Sequence, residues 1–226
     1  FLPRKFKIAV TGAPHDRPAV KVHDIGLRMH RNESGEAGFE VIVGGGQGRT
    51  PMLGPTIRPF LPKRHLLSYL EATLRVYNML GRRDNMYKAR VKILVHAVGA
   101  ERFAEMVEAE WAHLKDGALG RPDAEGARSA AHFAPPPYDD VDPAAPGYAA
   151  RRRQDPAFAR WADTSVTPHK RPGYAVVTLS LKPTGGVPGD ATSDQMDAVA
   201  DLADRFSFGE VRVSHEQNLV LAHVRQ

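Results

Sequence analysis

Residues 38–50 read Gly-Phe-Glu-Val-Ile-Val-Gly-Gly-Gly-Gln-Gly-Arg-Thr. The apolar run up to Val43 predicts a β-strand, and the glycines from Gly44 onward predict its end. Backbone without Cβ atoms lets peptide N–H groups approach a bulky or anionic ligand closely. The stretch matches neither the dinucleotide fingerprint nor the phosphate loop, because it has no Lys-Ser/Thr ending and prolines stand where a helix should begin.

Further strands are predicted before this stretch, and irregular backbone after it. Phe6, Ile8 and Val10 alternate with their neighbours in the period of two that is typical of a strand with one buried face. A second strand is predicted around residues 20–27. Four prolines between residues 51 and 62 predict irregular backbone as far as residue 62.

The apolar period then changes to that of α-helices. Three amphipathic patterns follow: Leu66, Leu70, Leu74 and Tyr77; then Val91, Leu94, Val95 and Val98; then Phe103, Met106, Val107, Trp111 and Leu114. Pro62 is acceptable in the first turn of the first helix, and Gly81 and Gly99 are plausible stops. Residues 1–115 therefore predict the order β-β-β-α-α-α.

The second half of the chain predicts a connector and a smaller unit. Residues 116–172 are rich in proline and predict a long connector that wraps over the surface. From residue 173 the pattern is β-α-β-β, and Thr192 with Gln195 forms a capping box at the start of its helix. No helix follows to cover this sheet, so we expect the chain to end within a larger unit.

Composition narrows the possible classes of protein. The 226 residues are 42% hydrophobic and include no cysteine, which excludes disulfide scaffolds, thiolate metal sites and thiol nucleophiles in this chain. No apolar run reaches the roughly 18 residues of a membrane-spanning helix, and no signal peptide opens the chain, which predicts a soluble, cytoplasmic protein. Residues 1–115 carry 19 Lys and Arg against 11 Asp and Glu, so this half has a formal charge of +8 and favours an anionic partner.

Two basic groups are candidate binding elements. On a strand, Lys5 and Lys7 would lie on one side about 6.5 Å apart, and an anion between them would relieve their repulsion. Basic residues also crowd the start of the second helix: Arg82, Arg83, Lys88, Arg90 and Lys92. Cations at a helix N-terminus oppose the macrodipole, so another interaction should favour them there. Solvated strand and helix faces remain the alternatives.

Other catalytic classes have little support in the sequence. The 10 histidines include neither H-x-x-x-H nor H-E-x-x-H spacing, so no zinc site is predicted. G-x-S-x-G is absent, and the adjacent acids Asp139 and Asp140 lie in the predicted connector, which disfavours a hydrolase.

Six short blocks resemble the siroheme-containing nitrite and sulfite reductases. In order they are L-P-R-K-F-K at 2–7, V-I-V-G-G-G at 41–46, K-A-R-V-K at 88–92, P-G-D-A-T at 188–192, F-G-E-V-R-V at 208–213 and Q-N-L at 217–219. The resemblance implies an α+β fold, in which a mixed β-sheet with packed helices (1–115) is followed by a Pro-rich connector (116–172) and a partial ferredoxin-like half-domain (173–226). It also implies the six-electron reduction of sulfite to sulfide or of nitrite to ammonia.

The resemblance assigns roles to individual residues. Lys5 and Lys7 match the two catalytic lysines that hold the anionic substrate on the open face of the siroheme iron and help to supply protons. The implied siroheme contacts are Arg4, Gly44, Gly45, Gly46, Arg90 and Gln217. The electron donor would be a ferredoxin or a flavoprotein reductase.

Departures from the family pattern limit what this chain can do alone. The family's four cluster cysteines lie beyond the Q-N-L strand, and the chain has none. We therefore expect siroheme and the 4Fe–4S cluster to belong to the parent protein, of which this chain is a middle piece. A cofactor-free accessory or assembly protein with the same fold is the alternative. A nucleic-acid-binding module is disfavoured, because aromatic residues for stacking are sparse among the charges.

Overall fold

The computed structural model describes residues 2–117, 119 and 123–226 of the chain. These residues belong to two compact units, Phe1–Phe133 and Ala134–Gln226. A four-stranded β-sheet lies in each unit. Within the described ranges, no helix is long and apolar enough to cross a membrane.

The first unit combines a mixed sheet with helices. Its strands are β1 (Ile8–Thr11), β2 (Ile25–Arg31), β3 (Ala37–Val43) and β4 (Thr56–Pro62), in that spatial order. Its helices are α1 (Leu66–Leu80), α2 (Val91–Val98), α3 (Ala100–Ala112) and α4 (Asp123–Ala131). β1 is parallel to β2, and the other pairs are antiparallel. Apolar side chains of β2, β3 and β4 form one core with those of α1, α2 and α3.

β4 is a strand that the sequence prediction missed. It contains Pro59 and Pro62, which predicted irregular backbone, yet it pairs with β3. Proline lacks the N–H group that an inner strand needs, but it is tolerated on edge strands and at bulges. Both conditions hold here, because β4 is an edge strand and its register with β3 shifts between Phe39 and Val41.

The first strand buries the opposite face from the one predicted. Ala9 and Thr11 are buried, whereas Ile8 and Val10 are 43% and 54% exposed. A period of two shows that the faces differ, but not which face meets the core. Ala9 packs with Val20 and Ile42 in a small cluster.

The three helices predicted within residues 1–115 agree closely with α1, α2 and α3 of the structure. Gly81 follows the last residue of α1, as predicted, although a short 3-10 helix at Lys63–His65 separates Pro62 from α1. Gly99 ends α2 and begins α3 with a φ of 86°, a conformation that glycine adopts without a steric cost.

The second unit is an antiparallel sheet with helices. Its strands β5 (Val166–Pro168), β6 (Tyr174–Leu179), β7 (Arg212–Val213) and β8 (Leu219–Arg225) lie in the order β5-β6-β8-β7. Its helices are α5 (Pro146–Gln154), α6 (Pro156–Ser165) and α7 (Ser193–Phe206). The predicted capping box at the start of α7 is confirmed, since Thr192 Oγ1 accepts from Gln195 N–H and Gln195 Oε1 accepts from Thr192 N–H. The α+β fold is thus confirmed.

The predicted connector contains regular structure, so the expectation of irregular chain over residues 116–172 is wrong. Pro146 and Pro156 stand in the first turns of α5 and α6, where a missing N–H costs nothing. Asp155 caps α6 by accepting from the N–H groups of Ala157 and Phe158. Tyr138 packs edge-on against Tyr174 of β6, with 4.9 Å between ring centroids. Residues 118 and 120–122 of this segment lie outside the described residues.

Candidate functional site

Charged side chains from three segments line one cleft of the first unit. The cleft has a volume of about 360 Å³. Its polar and glycine lining comprises Lys5 and Lys7 ahead of β1, His23 and Asp24 ahead of β2, Gln47 and Gly48 after β3, and Arg90 ahead of α2. Three of these residues, Lys5, Lys7 and Arg90, were selected from the sequence.

Lys5 and Lys7 do not lie on a strand, although the alternation predicted one there. They belong to the segment before β1, in which Lys5 stands at a bend, and both side chains are exposed. Among the described residues, neither ammonium group has an ion-pair or hydrogen-bond partner. The backbone of Lys7 is held instead: its N–H donates to Asp24 Oδ2 over 3.0 Å, and its carbonyl accepts from Ile25 N–H over 3.2 Å. The two lysines therefore present uncompensated positive charge to the cleft.

Asp24 is a buried carboxylate that the sequence analysis did not select. Its side chain is 1% exposed, and its Oδ1 lies 3.0 Å from Nη2 and 3.3 Å from Nε of Arg90. The guanidinium of Arg90 is itself only 18% exposed. Charge-assisted pairs of this kind orient the guanidinium strongly. No local signal in the sequence marks Asp24, because its partners Lys7 and Arg90 lie 17 and 66 residues away in the chain.

The glycine-rich loop is shaped by the protein's own packing. A Cβ atom on Gly45 would lie 2.1 Å from the carbonyl oxygen of Lys21, and one on Gly44 would lie 2.8 Å from Val95. The N–H groups of Gly44 and Gly46 already donate to the carbonyls of Asp24 and Met52. These two N–H groups therefore form hydrogen bonds within the protein that fix the loop.

The third glycine lies against the basic side chains of α2 and its N-cap. A Cβ atom on Gly46 would lie 3.0 Å from Cδ of Lys92 and 3.3 Å from Nη2 of Arg90. Lys92 is buried, and its ammonium group donates to the carbonyl of Gln47 over 3.0 Å. Burial, reinforced by the charge of Arg90, lowers the pKa of Lys92 below its usual value. The basic run at 88–92 thus includes a lysine that supports the loop.

Two of the predicted siroheme contacts lie elsewhere in their units. The guanidinium of Arg4 lies over the ring of Tyr87, 5.5 Å from its centroid, and Arg4 does not line the cleft. Gln217 belongs to the second unit, where it stands in the turn between β7 and β8 with a φ of 59°. The structure brings together Lys5, Lys7 and Arg90 in the cleft. Gly44, Gly45 and Gly46 do not line the cleft, although Gly46 lies against the side chain of Arg90.

The donor set of the cleft suits anionic groups and does not suit an iron–sulfur cluster. Ammonium and guanidinium groups are the natural partners of carboxylates and oxyanions, and siroheme carries several carboxylates. A 4Fe–4S cluster needs cysteine thiolates, which this chain lacks. Among the described residues, no group of three or more His, Asp or Glu side chains could hold a metal ion. The chain fits the carboxylate periphery of siroheme and supplies no cluster ligand.

Comparisons with known proteins agree with this chemistry. Residues 1–115 match the model of the nitrite and sulphite reductase 4Fe-4S domain, and residues 170–226 match that of the nitrite/sulfite reductase ferredoxin-like half domain. A sulfite reductase [ferredoxin] of Synechococcus elongatus is 38% identical over 115 residues, which are 48% of this chain and 18% of that protein. The ferredoxin–nitrite reductase of the same organism is 30% identical over 226 residues, which are 99% of this chain and 36% of that protein.

A solved structure shares the fold. The Mycobacterium tuberculosis NirA protein superposes with a TM-score of 0.61 at 24% identity, covering 100% of this chain and 34% of that chain. The matched part of the chain thus spans between 18% and 36% of the length of these three proteins. With one family model matching residues 1–115 and a second matching residues 170–226, the chain belongs to the siroheme-dependent nitrite and sulfite reductase family.

Proposed function

We propose that this chain is the siroheme-binding section of an assimilatory reductase that converts sulfite to sulfide or nitrite to ammonia with six electrons. The observation that carries the proposal is the pair Lys5 and Lys7, which face one cleft without an anionic partner among the described residues. A small oxyanion would supply the missing negative charge.

The two lysines can both bind the oxyanion and donate protons. Each ammonium group carries three N–H donors, so together they can hold oxygens of sulfite or nitrite. Each oxygen that leaves as water takes up two protons, and a positioned ammonium can deliver one of them. Both side chains are exposed, so solvent can return the proton to the amine.

Siroheme binding is assigned to the largely buried side chain of Arg90 and to the glycine-rich loop. Bound siroheme supplies the route by which electrons reach the oxyanion. Arg90, oriented by Asp24, would meet a siroheme carboxylate, and the loop Gly44–Gly46 would lie against the macrocycle. Arg4 and Gln217 are proposed as further contacts on the basis of the family resemblance. The cluster and the electron donor, a ferredoxin or a flavoprotein, would come from outside this chain.

The test uses the protein expressed from its complete coding sequence in a host that makes siroheme. We expect siroheme absorption bands, and oxidation of a reduced dye that depends on sulfite or nitrite. Lys5→Met and Lys7→Met should keep the bands while raising KM and lowering kcat by about 100-fold or more, the usual contribution of a positioned proton donor.

A matched control is Lys63→Met, which removes an exposed lysine that does not line the cleft. This variant should keep the wild-type kinetics. A wild-type protein without siroheme bands and without dye oxidation would refute the reductase proposal and favour a cofactor-free accessory protein. Equal losses of activity in Lys5→Met, Lys7→Met and Lys63→Met would contradict a special role of Lys5 and Lys7.

A further inference from the structure

Asp24 is the point at which three distant segments of the first unit meet. Its Oδ2 accepts from Lys7 N–H over 3.0 Å, and its Oδ1 faces Arg90 Nη2 over 3.0 Å. Its own backbone carbonyl accepts from Gly44 N–H over 2.9 Å. One residue therefore contacts the segment of the two lysines, the N-cap of α2 and the glycine-rich loop.

Because burying a carboxylate is costly, Asp24 depends on the groups that contact it. A carboxylate that is 1% exposed is strongly destabilising unless its charge and lone pairs are matched. Here the matching groups are a backbone N–H and a guanidinium, and both belong to residues that line the cleft. Moving either partner would leave the carboxylate unsatisfied, so the geometry of the cleft is coupled to the burial of Asp24.

We infer that Asp24 is a positioning residue that sets the places of Lys7 and Arg90 in the cleft. The inference rests on the proposed function of that cleft and deepens it. Asp24 neutralises Arg90, so the excess charge that faces a ligand is concentrated on Lys5 and Lys7. Asp24 itself acts through these residues and is assigned no contact with the substrate.

Two substitutions separate the two contacts of the carboxylate. Asp24→Asn keeps the size of the side chain and an acceptor for Lys7 N–H, but removes the charge that pairs with Arg90. Asp24→Ala removes both contacts. The matched control is Glu108→Gln, because Glu108 likewise joins an arginine and a second donor, Arg58 and the hydroxyl of Tyr69, and does not line the cleft.

The experiment uses the complete protein and three readouts. Mass-spectrometric amide exchange of a peptide containing Lys7 reports its N–H contact without requiring cofactor or activity. Siroheme content per chain reports the contact of Arg90. KM and kcat for nitrite with a reduced dye separate binding of the oxyanion from turnover.

We expect a graded result. Asp24→Ala should accelerate exchange at Lys7, lower siroheme content and raise KM for nitrite by about 10- to 100-fold, the size expected when a group of the site is displaced by a fraction of an ångström to an ångström. Asp24→Asn should lower siroheme content and leave exchange at Lys7 close to wild type. Glu108→Gln should leave all three cleft readouts unchanged. If Asp24→Ala is insoluble, Asp24→Asn carries the test through siroheme content.

Two contrary outcomes are distinguishable. Faster exchange at Lys7 in Asp24→Ala, with wild-type KM and siroheme content, would make Asp24 a purely structural residue and overturn the inference. Absence of siroheme and of nitrite or sulfite reduction in the wild-type protein would refute the proposed function itself, before any variant is compared, and the role of Asp24 with it.

Discussion

Lys92 and Thr50 are joined by a hydrogen bond of 2.6 Å from the buried ammonium group to the backbone carbonyl. The bond connects the first turn of α2 to the end of the glycine-rich loop. A buried cation with a lowered pKa is costly. Lys92 offsets part of that cost by satisfying the carbonyls of both Gln47 and Thr50.

Replacing Lys92 should loosen the loop. In Lys92→Met the aliphatic stem is kept, but the carbonyls of Gln47 and Thr50 lose their donor, which should cost about 1 to 3 kcal/mol of stability. Amide exchange of Gly46 and Met52, which bond to each other across the loop, measures this effect. Lys63→Met is the exposed control. Unchanged exchange in Lys92→Met would show that the loop does not depend on this ammonium group.

Gly45 and Gly48 should respond differently to the same substitution. Gly45→Ala places a Cβ atom 2.1 Å from the Lys21 carbonyl oxygen and should destabilise the first unit by about 3 kcal/mol or more, since backbone must move. Gly48 has a φ of +104° but no atom within 4 Å of an added Cβ. Gly48→Ala should therefore cost only about 1 to 2 kcal/mol of backbone strain. Denaturant unfolding compares the two, and equal losses would contradict the steric account.

The stability of the second unit should fall as the pH decreases below neutrality. Burial lowers the pKa of His223, and the attraction of Glu210, 3.4 Å away, opposes this shift only in part. As pH falls, the unfolded chain takes up a proton on this residue before the folded chain does. The stabilising contribution is therefore complete above the unfolded pKa of about 6.5 and is lost as pH falls through that value toward the folded pKa.

Amide exchange in β6 and β8 at pH 7.5 and pH 5.5, corrected for intrinsic rates, measures this dependence. His223→Asn should show a smaller loss of protection than wild type over this interval. His215→Asn removes an exposed histidine and should retain the wild-type dependence. The same pH dependence in His223→Asn and wild type would exclude His223 as its source.

The capping box of α7 gives a local test of stability. Thr192→Ala removes the oxygen that accepts from Gln195 N–H and should cost about 0.5 to 2 kcal/mol. Protection of the amides in the first turn of α7 should fall, whereas Thr184→Ala, at an exposed position of the preceding loop, should have no effect. Equal protection in both variants would argue against a stabilising cap.

The elements that were predicted correctly are those whose local signals agree with their packing. α1, α2 and α7 combine an apolar stripe with a glycine stop or a capping box, so the apolar period and the end signals agree. β4 was missed because its prolines are unfavourable in general and are tolerated only on an edge, and edge position is a property of the assembled sheet. α5 and α6 were missed because their prolines were read as helix breakers, whereas they stand in first turns.

The residues of the candidate site were likewise predicted only in part. Lys5, Lys7 and Arg90 were selected because they belong to clusters of basic residues and to blocks that resemble the reductases, and they do line one cleft. The assumption that the lysines share a strand was wrong, yet both line the cleft, and Asp24 accepts a hydrogen bond from the backbone N–H of Lys7. Asp24 was missed because its role depends on contacts 17 and 66 residues away in the chain. No local pattern encodes such a junction.

The 17 and 66 residues that separate Asp24 from its partners Lys7 and Arg90 also determine when the cleft can form during synthesis. A nascent chain folds from its N-terminal end, and long-range contacts wait for the later partner to emerge. Until residue 90 has left the ribosome, the carboxylate of Asp24 lacks its guanidinium and cannot be buried at low cost. The cationic cleft is therefore completed only after Arg90 has emerged, and an anionic cofactor would meet the complete cleft only from that stage of synthesis onward.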